Sequence, residues 1–255
     1  MCQLGKEAML NITAQSEVMK TIVDTLMTQV EDARFDFYDD YLEVCAVDAS
    51  NVAMIQMRAD SSVFDVWDLS ESKVIVELPK IRDIVSLATS SDLVEMNFDG
   101  ATNRLNIRVG KINREVSPIT EQSIRVPKRV PDIPLESGIK INGSDLARAL
   151  KAAKQVGDIV HLSLTKDSFC VKVPGDTDSV EVTFSDGELE ELSCESEVNS
   201  QYSLSYMEAL FKKLEGVESV ALAFGENMPL KMNFSYLDGA ISVLFLLAPR
   251  QDGGY

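Results

Sequence analysis

The sequence predicts an α+β protein of two similar domains, each a duplicated β-α-βββ unit, and three observations carry that prediction. A strand, an amphipathic helix and a further series of strands are written four times along the 255 residues. The first and third copies open about 130 residues apart, so the chain is also two similar halves. Short β-branched strands with alternating apolar positions outweigh the helices, which points to antiparallel meanders carrying helices on one face.

The first copy opens with a strand over 8–13 and a helix over 15–28, whose apolar stripe is Val18, Met19, Ile22, Val23 and Leu26. The second opens at 73–77, with a helix over 78–90 and the stripe Leu78, Ile81, Ile84, Val85 and Ala88. The third opens at 138–142, with a helix over 144–156 and the stripe Leu146, Ala149, Leu150 and Ala153. The fourth opens at 201–203, with a helix over 204–214 and the stripe Leu204, Met207, Leu210, Phe211 and Leu214. These are i, i+3, i+4 spacings, so each helix packs one face on a sheet and leaves the other free. Strands are expected over 41–47, 53–57, 62–67, 93–98 and 105–109 in the first half. In the second they are expected over 159–164, 168–173, 180–184, 220–224, 231–234 and 240–247. Asp99-Gly100, Asp186-Gly187 and Asp238-Gly239 mark turns between strands.

Pro118, Pro127, Pro131 and Pro134 are half of the eight prolines, and they fall where one half ends and the next begins. Fixed φ and missing backbone donors make this stretch run extended. The expected organisation is therefore an N-terminal domain over 1–118, a connector over 119–137 and a C-terminal domain over 138–255.

Apolar residues at 45% and charged residues at 25% are ordinary for a soluble globular protein. No apolar run approaches the ~20 residues that span a bilayer, and the first fifteen residues lack the pattern of a secretory signal. A soluble intracellular protein is expected. Cys2, Cys45, Cys170 and Cys194 are scattered and form no CxxC pair, so reduced thiols are expected and a zinc site is not. The one histidine, His161, falls within a strand, and no nucleophile elbow or glycine-rich phosphate loop is present. The acid clusters Asp36/Asp39/Asp40, Asp176/Asp178 and Glu188/Glu190/Glu191 lack metal-loop spacing and read as solvated turns. No cofactor, metal or catalytic residue is expected.

A net charge of −17 argues by itself against nucleic acid. Its distribution argues the other way. The free helix faces carry Lys20, Lys80, Arg82, Arg148, Lys151, Lys154, Lys212 and Lys213 against Glu17, Asp24, Asp83, Asp145 and Glu208. The helices thus total +3 and the remainder about −20. Four helices sharing one surface would make that surface attractive to a polyanion inside a shell that repels it.

Leu247-Ala248-Pro249-Arg250 after a hydrophobic strand, Asp48-Ala49-Ser50-Asn51-Val52 between two strands, Ile22-Val23-Asp24-Thr25-Leu26 in the first helix, and Asn227-Met228-Pro229-Leu230 together resemble the proliferating cell nuclear antigen family of DNA sliding clamps, in particular its archaeal members. The resemblance runs from about Met9 to Arg250, in register with the four repeats and the connector.

The resemblance implies a homotrimeric ring with sheets outside and helices lining a hole through which duplex DNA passes. The ring would act as a processivity factor in replication and repair, tethering DNA polymerase, a clamp loader and other enzymes that carry a clamp-binding motif. A subunit of a heterotrimeric clamp and a β-rich scaffold without DNA are the alternatives. The basic helix residues become the DNA contacts. The resemblance places the subunit interface on the strand bearing Ile112, Arg114 and Val116 and the strand bearing Val180, Val182 and Phe184. Partner motifs would dock on Val47, Asn51, Val52, Met54, Ile124, Val126, Pro229, Leu246, Ala248 and Pro249. Thr21, Met27, Asp83 and Ser86 stand where some relatives are basic, Asn51 where a histidine is common, and Leu246 where an aromatic is common in eukaryotic relatives. The first domain is expected to hold DNA more weakly than the second. The residues before Met9 read as an extension or an altered start. The location implied is archaeal cytoplasm beside the nucleoid, or the nucleus in a eukaryote.

Overall fold

The structure is a computed structural model that describes residues 9–70, 72–127, 129–175 and 177–250. Cys2, Ala8, Asp176 and the last five residues lie outside the described residues. The chain divides into two compact units. One takes in the described residues of Met1–Val47, Ile55–Lys128 and Leu237–Ser242; the other takes in those of Asp48–Met54, Arg129–Tyr236 and Val243–Tyr255.

The first unit contains β1 (Met9–Gln15), α1 (Ser16–Leu26), β2 (Asp32–Phe37), β3 (Tyr41–Val47), most of β4 (Ala53–Asp60), β5 (Val66–Leu69), β6 (Ser72–Glu77), α2 (Leu78–Val85), β7 (Leu93–Asp99), β8 (Arg104–Val109) and β9 (Ile112–Val116). Its five-stranded sheet runs β5-β1-β7-β8-β9, so β9 is an end strand. A second run orders β4-β3-β2-β6. The second unit contains β10 (Gly138–Asn142), α3 (Gly143–Lys154), β11 (Ile159–Leu164), β12 (Ser168–Pro174), β13 (Ser179–Ser185), β14 (Glu191–Ser193), β15 (Val198–Ser203), α4 (Glu208–Leu214), β16 (Ser219–Ala223), β17 (Leu230–Tyr236) and most of β18 (Ile241–Leu247). Its four-stranded sheet runs β13-β12-β11-β15, so β13 is an end strand, and a further run orders β14-β10-β16-β17-β18. Every described pairing is antiparallel.

The helix stripes read from the sequence are the buried faces. Ile22, Val23 and Leu26 of α1, Leu78 and Ile81 of α2, Leu146 and Ala153 of α3, and Leu210 and Leu214 of α4 are all at 0% exposure. Full burial of each large aliphatic chain contributes about 1.5–3 kcal/mol against leaving it in water, which outweighs the marginal propensity of helices 7 to 12 residues long. Asn142 caps α3, its Oδ1 accepting from Ser144 N at 3.0 Å and more weakly from Asp145 N at 3.4 Å. Gly143 then passes so close to the end of α4 that an added Cβ would stand 2.4 Å from the carbonyl oxygens of both Leu214 and Val217.

Several elements differ from the sequence expectation. The helix expected over 78–90 ends at Val85, because Ser86 to Ala88 close a tighter turn, with Leu87 N donating to Ile84 O and Ala88 N to Val85 O. The helix expected over 204–214 begins as a 3₁₀ turn, Leu204–Tyr206, and becomes α-helical only at Glu208. The strand expected over 62–67 is a 3₁₀ turn, Ser61–Val63, followed by β5. Asp186-Gly187 lies in a 3₁₀ turn held by a Ser185–Glu188 capping box rather than in a two-residue hairpin. At Asp238-Gly239 three successive residues, Leu237, Asp238 and Gly239, take φ of 51°, 53° and 93°, a left-handed run that the Asp-Gly pair makes tolerable.

Candidate functional site

The exposed helix faces carry all eight basic residues read from the sequence, and the structure shows how many are already engaged. In the first unit Lys20 pairs with Glu17 at 3.0 Å and also donates to Ala88 O at 3.2 Å. Lys80 pairs with Glu77, and Arg82 Nε bonds Asp24 Oδ1 at 2.8 Å from the neighbouring helix. Helices α1 and α2 therefore hold three cations against Glu17, Asp24 and Asp83, a balance of zero. A cleft of about 150 Å³ between them is lined by Lys20, Val23, Asp24, Arg82, Val85 and Ser86.

In the second unit α3 and α4 hold five cations against Asp145 and Glu208, a balance of +3. Arg148 is paired with Asp145 at 3.2 Å yet remains 82% exposed, and Lys151 pairs with Glu215. Lys212 is exposed on α4 and has no ion pair among the described residues. An open groove of about 540 Å³ is lined by Ser144, Asp145, Arg148, Lys151, Ala152, Gln155 and Glu215. Lys151, Lys154, Lys212 and Lys213 all fall in the last turns of their helices, where the helix dipole favours cations.

Lys154 differs from its neighbours. Its ammonium sits 2.7 Å from Asp158 Oδ1 and 3.4 Å from Glu208 Oε2, and its side chain is 26% exposed. The hydrogen bond to Asp158 holds its pKa above the usual lysine value. Asp158 in turn accepts from Ser203 Oγ at 2.5 Å and Ser205 N at 2.9 Å. Partial burial pushes the Asp158 carboxyl upward, but the bonds from Lys154, Ser203 and Ser205 outweigh it and bring it down to about 2. This cluster joins the end of α3 to the start of the 204–206 turn, so Lys154 is foremost a tie between elements.

The two strands placed at the subunit interface are both sheet ends. On β9, Ile112 is 45% exposed and Val116 is buried. Arg114 donates to Lys80 O at 2.9 Å and reaches Asp83 Oδ2 at 3.5 Å, so it couples this strand to α2. On β13, Val180 and Val182 are half-buried, and Phe184 is buried against Phe169 with ring centroids 6.1 Å apart.

Of the residues expected to dock partners, Val47, Ile124 and Val126 belong to the first unit and the other seven to the second. Leu246 is core at 6% exposure; the other nine keep solvent contact. The 48–53 loop is built on the Asp48 carboxylate, whose two oxygens accept from Ser50 N at 2.8 Å and from Val52 N and Ala53 N at 2.7 Å. That turn holds exposed Asn51 at φ 56°. Ala248 N donates to Val52 O at 2.9 Å, which brings those two predicted residues together. Beside Pro229, the Tyr202 hydroxyl donates to Met228 O at 2.7 Å, and burial pushes its pKa up to about 12. Asp48 and Tyr202 escaped the sequence reading as positioning groups. The Asp-Ala-Ser-Asn string is a signal for the first, since Asx turns bond their own following backbone.

Among the described residues no group of three or more His, Cys, Asp or Glu is arranged to hold a metal, and no helix is long and apolar enough to cross a membrane. Burial pushes the Cys45 thiol up to about 11.

Two family models match the chain: the N-terminal domain of proliferating cell nuclear antigen over residues 7–125 and its C-terminal domain over 129–250. A "DNA polymerase sliding clamp" of Methanocella arvoryzae is 32% identical over 242 residues, covering 95% of this chain and 98% of that relative. Among solved structures, one described as the C-terminal region of FEN-1 bound to A. fulgidus PCNA superposes with a TM-score of 0.88 at 27% identity, covering 96% of this chain and all of the other. PCNA from Thermococcus kodakaraensis shares the fold at a TM-score of 0.84, with 94% of this chain and all of the other covered.

Proposed function

The chain belongs to the proliferating cell nuclear antigen family, and on that premise we propose that it is a sliding clamp that encircles duplex DNA and tethers DNA polymerase and other replication and repair enzymes. The observation that carries the reading is the match of each half of the chain to its own clamp domain, in order and nearly end to end.

The DNA role falls to Lys20, Lys80, Arg82, Arg148, Lys151, Lys154, Lys212 and Lys213. Side chains of this kind on helices meet phosphates, which carry no sequence information, and such contacts weaken with salt. Topological linkage then retains the protein where tight binding would stall it. A homotrimer closed head to tail through β9 and β13 is supported by the end position of both strands, since pairing them would satisfy two open rows of backbone groups. Ile112, Arg114, Val116, Val180, Val182 and Phe184 are the interface residues of this reading. Residues 1–118 and 138–255 are its two domains and 119–137 its connector.

Partner motifs dock on Val47, Asn51, Val52, Met54, Ile124, Val126, Pro229, Ala248 and Pro249, with Leu246 supporting them from the core. That a similar protein was solved with the C-terminal region of FEN-1 bound supports the tethering of partner enzymes. The role is that of a scaffold rather than a catalyst, exercised in the cytoplasm beside the nucleoid, as the archaeal origin of the curated relatives supports.

The experiment is synthesis by a DNA polymerase on a singly primed circular template with the clamp and its loader, with light scattering alongside. Longer products and a mass of about 84 kDa, three times the 28.1 kDa chain, are expected. No effect on product length would overturn the clamp reading. A mass near that of one chain, with activity intact only in the presence of other subunits, would replace the homotrimer by a heterotrimer.

A further inference from the structure

Arg34 lies on β2 and spends its guanidinium on two carboxylates. Its Nη2 donates to Asp36 Oδ2 at 2.7 Å and its Nη1 to Glu121 Oε1 at 2.7 Å. Arg34 and Asp36 are largely buried, with side chains 16% and 10% exposed, while Glu121 is 67% exposed. Arg34 Nε and Asp36 Oδ1 are both buried and have no hydrogen-bond partner among the described residues. The buried pair is thus neutral but incompletely satisfied, a state that persists only where the surroundings hold it. What reaches it from outside is Glu121, the first residue of the one-turn helix Glu121–Ser123.

A second tether lands at the same rung. Arg34 stands opposite Ile75 in the β2–β6 ladder, and Ile75 O accepts from Ile119 N at 2.9 Å. The segment that follows the first unit's last strand is therefore clipped at Ile119 and Glu121 to one rung at the end of its sheet. Past that clip, Ser123 N and Ile124 N bond only within the turn, to Thr120 O and Glu121 O. Ile124 and Val126, two of the residues assigned to partner docking, come directly after it.

We propose that Arg34 and Glu121 form a latch that presets the connector for partner docking. Glu121 is a positioning residue: it fixes the segment before a partner arrives, so less ordering entropy is lost on binding. The inference rests on the docking role assigned to Ile124 and Val126. The informative variant is Glu121→Gln. It leaves the Arg34–Asp36 pair intact and neutral, whereas changing Arg34 would strand a buried carboxylate and destabilise the unit.

The test compares wild-type and Glu121→Gln full chains by amide hydrogen exchange and by titration with a synthetic peptide of the C-terminal region of FEN-1. Exchange at residues 121–126 should rise about 3–10-fold in the variant while β2 and β6 stay protected, and the peptide should bind about 3–10-fold more weakly. Raising salt to about 0.5 M should speed exchange there in the wild type and change little in the variant, because only the wild type has the charge pair to screen. Unchanged exchange would overturn the latch. Faster exchange with unchanged peptide affinity would overturn its role in docking. A wild-type chain that takes no peptide while the variant still exchanges faster would instead sink the docking reading and leave the latch standing.

Discussion

Arg82 Nε and Asp24 Oδ1 meet at 2.8 Å across the α1–α2 pair, 58 positions apart in sequence. The contact removes a cation from a surface that has few to spare. With Lys20 and Lys80 also paired, α1 and α2 balance to zero, and Glu77 beside Lys80 takes that face to −1; α3 and α4 carry +3, which Glu215 and Asp158 beside Lys151 and Lys154 reduce to +1. Lys151→Glu with Lys212→Glu should therefore reduce DNA retention about 10-fold or more at low salt, and Lys20→Glu with Lys80→Glu by less. Asp24→Asn should act oppositely, freeing Arg82 and steepening the salt dependence by about one unit of slope. Retention of fluorescent clamp on end-blocked DNA across a salt series checks this, and equal losses from both double variants would refute the asymmetry. Lys154 is left out because, through Asp158, it ties α3 to Ser203 and Ser205, so a carboxylate there would disturb the fold as well as the charge.

Acid should find a weak point at Asp158. Its folded pKa of about 2 lies below the ordinary 3.8, so its stabilisation is complete above about pH 4 and lost as pH falls through 2. The side chain is 43% exposed, so solvent screening limits the effect to about 1 kcal/mol. Asp158→Asn should melt a few degrees lower at pH 7, and the difference from wild type should close by pH 2. Thermal unfolding at pH 7, 4 and 2 measures it; a gap that persists at pH 2 would assign the loss to packing.

Ring closure should be breakable without unfolding a unit. Ile112 is already exposed on the end strand β9, so Ile112→Asp costs the isolated fold little. Combined with Val182→Asp on β13, it should shift the mass by light scattering from about 84 kDa to that of one 28.1 kDa chain. A persistent trimer would move the interface elsewhere.

Ala248→Asp with Pro249→Ala should weaken a FEN-1 C-terminal peptide by about 10-fold, since a charge placed in an apolar docking surface is left unpaired. The bond from residue 248 N to Val52 O uses backbone only, so it survives and the mass should not change. A fall in mass or a large drop in melting temperature would show these residues to be structural.

The sequence carried the helix stripes and the repeat because burial acts through spacing within one element, and all four stripes are buried as read. β2 was missed although Asp32, Ala33, Arg34, Phe35, Asp36 and Phe37 alternate polar and apolar as a strand does, and β14 was missed because three residues are too few to show a period. Arg34 and Asp36 are buried there only because they bond each other and Glu121, a partner 87 residues away. The state of the candidate DNA surface was hidden for the same reason. Counting charges along each helix gave the +3 with Asp24 included, but Glu215 and Asp158, which pair with Lys151 and Lys154, lie outside the helices and outside that count. Residue type placed the cations; only tertiary contact says which of them are spent.

Gly143 has consequences for anyone who would re-engineer the grip of this protein. Its neighbours are two backbone carbonyls that no rotamer change can move, so the restriction is one of room. A library that diversifies α3 should freeze position 143 and place its variation at 148, 151 and 155, where the side chains face an open groove. Selection would then act on charge and reach, with the spacing of the two helices held as a constant of the scaffold.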